Sequence, residues 1–129
     1  MWRPYRRPLV NKFADQIFAA KTEPGVVDIV RLPEVVCIRA AGNYIDFQLV
    51  NGHSMHRATL SNVLKQLPSS FVQVHRSYVI NIAHLRRLQS ELGRYSECVL
   101  TGNKIIPLGK QYRKALLQLL SIESPPSSS

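Results

Sequence analysis

Cysteine is scarce in this 129-residue chain. Only Cys37 and Cys98 occur, in no CxxC pair and in no His/Cys cluster of metal-ligand spacing. Neither a zinc site nor a dithiol redox centre is expected, and no metal or cofactor is read into the chain. Each thiol sits in an apolar, strand-like run, VVCIR or SECVL. That context predicts buried, reduced cysteines and a cytoplasmic setting, either free or as the cytosolic part of a membrane-anchored parent. Long apolar runs are also missing. None reaches the ~18 residues of a membrane span, and no apolar signal core follows the basic N-terminus. Paired carboxylates, GxSxG, HExxH and P-loop patterns are absent too. His75 and Ser77 lie too close together to suggest a triad, so the chain is not expected to be an enzyme.

Acidic residues are the most informative shortage. Eight Asp and Glu face seventeen Lys and Arg, for a net charge of +9. No acid occurs from Phe47 to Ser90, a window holding Arg57, Lys65, Arg76, Arg86, Arg87 and all four histidines. A second acid-free window, Cys98 to Ile122, carries Lys104, Lys110, Arg113 and Lys114. Such gaps create a one-sided positive field, which favours a polyanionic partner. Nucleic acid comes first and an anionic membrane surface second. The chain has only ten aromatic residues, mostly on apolar alternating faces. Single-strand RNA readers usually present an aromatic platform. That count argues against a single-strand platform, and a basic module for RNA or anionic membrane stays as the alternative reading.

What remains is dense in strand signals. Residues 1–25 read as a basic arm or linker. Within them NKFADQIFAAK (11–21) suggests a short helix with Phe13, Ile17 and Phe18 on one face, and TEPG (22–25) suggests a linker. Residues 26–122 carry the main pattern, and 123–129 form a Ser/Pro tail expected to be disordered. VVDIV (26–30) and VVCIRA (35–40) flank Pro33, and Gly42-Asn43 marks a turn. YIDFQLV (44–50) alternates, with Ile45, Phe47 and Leu49 on one face and Tyr44, Asp46 and Gln48 on the other. Asn51-Gly52 predicts a hairpin turn with φ > 0 at both positions. A helix follows, N-capped by Thr59, with Leu60, Val63, Leu64 and Leu67 on one stripe and Pro68 as its stop. IAHLRRL (82–88) reads equally as helical turn or strand. RYSECVL (94–100), a turn at 101–103 and KIIPL (104–108) lead to a last helix over 109–122, with Tyr112, Leu116, Leu119 and Leu120 inward. Seven or eight strands and two helices without a βαβ rhythm make a mainly-β domain.

One stretch interrupts its own pattern. FVQVHRSYVINI (71–82) reads as a strand, yet His75, Arg76 and Ser77 stand in its middle. The order RAAGNYIDFQLVNG, a TLxxxLxxLP helix, FVQVHRSYVINIAHLRRL and IPLGKQYRKALLQLL resembles the LytTR DNA-binding domain of bacterial response regulators, over about residues 26–122. Its most specific piece is F-x-x-V-H-R-S-Y-V-I-N. The resemblance implies an elongated arrangement of small antiparallel sheets with two short helices, and no helix-turn-helix. It further implies reading of successive major grooves by loop and strand-end side chains, often by pairs of domains on repeated sites. Carried over by position, the contacts are Asn43 beside Gly42, Arg76 within HRSY, and Lys110 and Gln111 at the last helix. An upstream receiver or membrane sensor is a possible companion domain. The chain departs from the family at Gly109, where a capping serine is common. That leaves open which of Gly109, Lys110 and Gln111 faces DNA.

The side-chain chemistry supports these positions separately. Arg76 can fork two hydrogen bonds to guanine O6 and N7, and Asn43 can do the same to adenine, each worth ~1–3 kcal/mol of discrimination. His75 and Ser77 can reach phosphate or orient the arginine. Lys110, Arg113 and Lys114 near a helix start oppose its macrodipole by ~0.3–1 kcal/mol each, a conflict that a bound phosphate removes. Each position also has a plain structural role available. Asn43 suits a turn, His75 and Ser77 suit local backbone bonding, and Arg76 suits a surface ion pair. Arg86 and Arg87 suit solvent or nearby phosphate, and Asn81 suits a backbone clamp. No heptad seam is present, so a monomer is expected in solution and pairs are expected on DNA.

Overall fold

The computed structural model describes residues 16–123. Ten strands and two α-helices follow one another: β1 (Ile17–Glu23), β2 (Val26–Arg31), β3 (Val35–Ala41), β4 (Tyr44–Leu49), β5 (Gly52–Arg57), α1 (Leu60–Leu64), β6 (Phe71–His75), β7 (Tyr78–Asn81), β8 (Leu85–Glu91), β9 (Arg94–Leu100), β10 (Lys104–Pro107) and α2 (Lys110–Leu119). The fold is thus mainly β, as expected, with more strands than the sequence pattern suggested. Three antiparallel sheets result: β1-β2, β5-β4-β3-β7-β6 and β10-β9-β8.

The five-stranded sheet lies at the centre because both of its faces are apolar. One face puts Val35, Ile38, Ile45, Phe47 and Val79 against Phe18, Ala20 and Val30 of the β1-β2 hairpin and against Leu60 and Val63 of α1. The other puts Val36, Cys37, Val74 and Ile80 against Cys98, Leu100, Ile106 and Leu108 of the three-stranded sheet region and Leu116 of α2. A register shift between Val35 and Cys37 lets the adjacent Val36 and Cys37 serve the same layer, against strand alternation. Both cysteines are free and fully buried. Desolvation pushes their thiols up, Cys37 to about 11 and Cys98 to about 12, which keeps them protonated.

Several expectations change. The stretch 17–21 is strand, not helix. Phe18 and Ala20 point inward from β1, and cross-strand pairing outweighs local helix preference. Residues 11–15 of that predicted helix lie outside the described residues, as do most of the arm and the tail at 124–129. TEPG is the β1-β2 hairpin turn, with Gly25 at φ 82° after Pro24. The β4-β5 turn is occupied by Val50 and Asn51, and only Gly52 takes positive φ, 99°. A turn followed by a left-handed glycine closes the hairpin instead of two left-handed residues. IAHLRRL divides into a 3-10 turn at Ile82–His84 and the strand β8. In α2, Leu117 is buried and Leu119 is 55% exposed, so the inward face is rotated from the expected stripe.

Asp46 is buried, although strand alternation placed it on the polar side. That side faces the second layer of the core. His53 Nδ1 lies 2.8 Å from Asp46 Oδ1, and Gln48 Nε2 donates to Oδ2 at 3.3 Å. Asn81 is a backbone clamp, as one reading held. Its amide donates to the Val35 carbonyl at 3.0 Å and the Leu32 carbonyl at 3.4 Å, while Oδ1 accepts from the Ala83 amide at 3.0 Å.

Candidate nucleic-acid interface

The polar triplet lies at a hairpin tip. β6 ends at His75, β7 begins at Tyr78, and Arg76 and Ser77 make the turn. The pairing shifts between Gln73 and His75, so Val74 is a bulged residue. Its side chain turns into the core, while its carbonyl accepts the Gly109 amide at 2.6 Å. That bond seats the start of α2 beside the tip. Bulges commonly re-aim side chains in this way.

Local bonds shape the turn. The Gln73 side-chain amide donates to the carbonyls of His75, at 3.2 Å, and Arg76, at 3.5 Å. The Ser77 amide donates to His75 Nδ1 at 3.1 Å, and the Ser77 carbonyl accepts the Ala40 amide at 2.8 Å. Accepting at Nδ1 leaves His75 Nε2 as the donor nitrogen. The His75 ring also meets Tyr78 edge-on, with centroids 5.6 Å apart. Histidine and serine thus build the turn, and Arg76 is left exposed at its apex.

A shallow cleft adjoins it, lined by His75, Arg76, Gly109, Lys110, Gln111 and Tyr112. Gly109 packs inward. A Cβ there would meet Tyr112 Cδ2 at 3.2 Å and the His75 backbone at 3.5 Å. Lys110 and Gln111 are exposed, so the side chains offered at this helix end are theirs. The α2 N-cap carries no side-chain hydrogen bond.

The β3-β4 turn shares this end of the central sheet, because β3 pairs antiparallel with both β4 and β7. Gly42 supplies the left-handed conformation, φ 63°, so Asn43 does not need to. The Asn43 carbonyl accepts the Ala58 amide at 3.1 Å, and the residue itself is exposed. Asn43, Arg76, Lys110 and Gln111 therefore project from one end of the fold. Arg113 and Lys114 lie farther along α2. Arg113 is partly committed, since its Nε donates to the Tyr95 carbonyl at 2.7 Å.

Two contributors escaped the sequence reading. Gln73 braces the turn, and Arg57 stacks over the Tyr44 ring at 5.9 Å beside Asn43. The partners of Gln73 depend on how the β6-β7 turn closes. The Arg57–Tyr44 pair follows only from the β4-β5 register.

A family model described as the LytTr DNA-binding domain matches residues 27–121. The chain belongs to the LytTR DNA-binding domain family. LytTR character also shows in a solved structure, titled as the LytTr DNA-binding domain of a putative methyl-accepting/DNA response regulator from Bacillus cereus. It superposes with a TM-score of 0.71 at 18% identity, covering 84% of this chain and 99% of that one, and this likeness bears on fold. Curated relatives with this domain include the CO-responsive transcriptional regulator RcoM of Rhodospirillum rubrum, 30% identical over 90 residues, which are 68% of this chain and 38% of that protein. The sensory transduction protein LytT of Bacillus subtilis is 33% identical over 72 residues, 52% of this chain and 30% of that protein. The chain thus spans well under half the length of these relatives. Among the described residues of this LytTR chain, no helix is long and apolar enough to cross a membrane, and no group of three or more metal-ligating side chains occurs.

Proposed function

We propose that the domain binds duplex DNA sequence-specifically, as the output module of a transcription regulator. Arg76 reads guanine in a major groove. Asn43 reads a base from the neighbouring turn, and Lys110 and Gln111 contact the same groove or its edge. His75 Nε2 donates to phosphate, and Ser77 holds the turn. Lys114, with Arg113, faces the backbone. The observation that carries this reading is the convergence of the Arg76 turn with the start of α2, held by the 2.6 Å bond from Gly109 to Val74. The hydrogen-bonded turn fixes the Arg76 backbone, and the planar guanidinium fork reduces the entropy lost per hydrogen bond in a bidentate contact. The names of the curated relatives, a transcriptional regulator and sensory transduction proteins, point the same way. In such a context a receiver or sensor elsewhere in the parent protein controls this module.

A competition among labelled duplex DNA, single-stranded RNA and anionic vesicles tests the class of ligand. Duplex DNA is expected to win at equal phosphate concentration. A preference for RNA or vesicles that persists at ~0.15 M salt contradicts the reading.

The module is further proposed to bind two repeats as monomers that meet on DNA. Inserting about half a helical turn between repeats is expected to weaken the second binding event, and a full turn to restore it in part. Gel shifts on spacer variants, with sedimentation of the free protein, check this. A stable free dimer, or indifference to spacer phase, contradicts it.

A further inference from the structure

Beside the Arg76 cleft lies a second depression, between the first residues of β9 and the outer face of α2. Arg94, Lys110, Arg113 and Lys114 line it, Leu117 lies in its wall, and Glu123 is the one acid on its border. Lys110 lines both depressions, so the two are neighbours. Lys110 and Lys114 are at i and i+4, hence on one helix face, separated by about 6 Å of rise. Like charges at that spacing oppose helix stability. Arg94 faces them from the other wall. Glu91 is its cross-strand neighbour, yet among the described residues none of these four cations forms an ion pair.

The Arg113–Tyr95 bond adds a reason for the shape. It ties α2 to β9 one residue beyond Arg94 and so fixes the width of the groove. A mutually repelling cluster held on two rigid elements is what a chain of phosphates fits.

We infer that this groove binds the sugar-phosphate backbone of the strand flanking the bases read by Arg76. Arg94 and Lys114 make phosphate contacts, and Arg113 is a positioning residue. The inference rests on the DNA-binding reading and extends it to a residue, Arg94, far from the signature stretch. The span from Lys110 to Lys114 matches about two nucleotides of one strand, at ~3.4 Å of axis each. The groove carries no means of telling bases apart, so its contribution is the same on every sequence.

The test measures binding of the full chain to its selected site and to random duplex across a salt series, for wild type, Arg94→Gln, Lys114→Gln and Arg31→Gln. Arg31 is an exposed cation at the end of β2, away from the groove, and controls for net charge. Arg94→Gln and Lys114→Gln are each expected to weaken both duplexes severalfold. Each is expected to lower the slope of log K against log salt by about 0.9 without changing the ratio of specific to random affinity. Arg31→Gln is expected to leave the slope within error. An unchanged slope for Arg94→Gln, or an equal drop for Arg31→Gln, overturns the groove assignment while the Arg76 reading stands. Failure of wild type to bind any duplex overturns both. Loss of polyglutamate binding with intact DNA binding in Arg94→Gln shows a groove for acidic polypeptide and overturns the inference.

Discussion

Replacing Asn81 with leucine is expected to lower stability by about 3 kcal/mol, although leucine keeps the branching and heavy-atom count of asparagine. The cost comes from the groups left behind. Val35 and Leu32 carbonyls lose a donor, and the Ala83 amide loses an acceptor, at a site only 3% exposed. An unsatisfied buried polar group costs ~1–3 kcal/mol, and the 3.4 Å contact to Leu32 is the weakest of the three. Asn81→Asp separates the roles. It keeps the oxygen that caps the 3-10 turn but sets an oxygen against two carbonyls. Its penalty at neutral pH is expected to match or exceed that of leucine, and to shrink as pH falls and the acid takes up a proton. Urea denaturation of the variants checks this, read as a shifted midpoint with an unchanged m-value. Losses under ~0.5 kcal/mol in both variants contradict the clamp.

Arg76→Ala is expected to act on binding and not on folding. The side chain is exposed, and the turn is held by Gln73, by the Ser77-to-His75 bond and by the Ser77 carbonyl. Affinity for the selected site should fall by ~1–3 kcal/mol for each bidentate base contact, about 5- to 150-fold. Preference should flatten at one or two base pairs. Arg76→Lys should recover only part, because an ammonium cannot fork to O6 and N7. Selection of sites from a random pool by each variant reads the effect directly. An equal loss on selected and random duplex contradicts base reading and leaves Arg76 as a phosphate contact.

Much of this was legible in the sequence where the signal is local. Strands β4 and β9, the Thr59-capped helix and the clamp role of Asn81 follow from alternation, capping chemistry and position at a strand end. Thr59 does accept from the Asn62 amide. What was not legible depends on partners distant in the chain. FAAK has helix-like local preference, and only its pairing with β2 makes it strand. Asp46 looks solvent-facing until the three-stranded sheet covers that side. The bulge at Val74 has no local mark, yet it brings residue 109 to residue 75. Arg94 opens an ordinary alternating strand, and its place in a basic groove depends on how α2 crosses β9. The signature stretch marks the candidate site, and the surrounding sheets decide which neighbours join it.

The central claim is that the exposed apex of the β6-β7 turn reads guanine from the major groove of a duplex. Methylation interference with the full chain on its selected site addresses it most directly, comparing wild type with Arg76→Ala. Methyl groups on particular guanine N7 atoms are expected to block wild-type binding, and at one or two of those guanines the block should vanish in the variant. An identical interference pattern for both proteins, or no guanine at which N7 methylation matters, would contradict it.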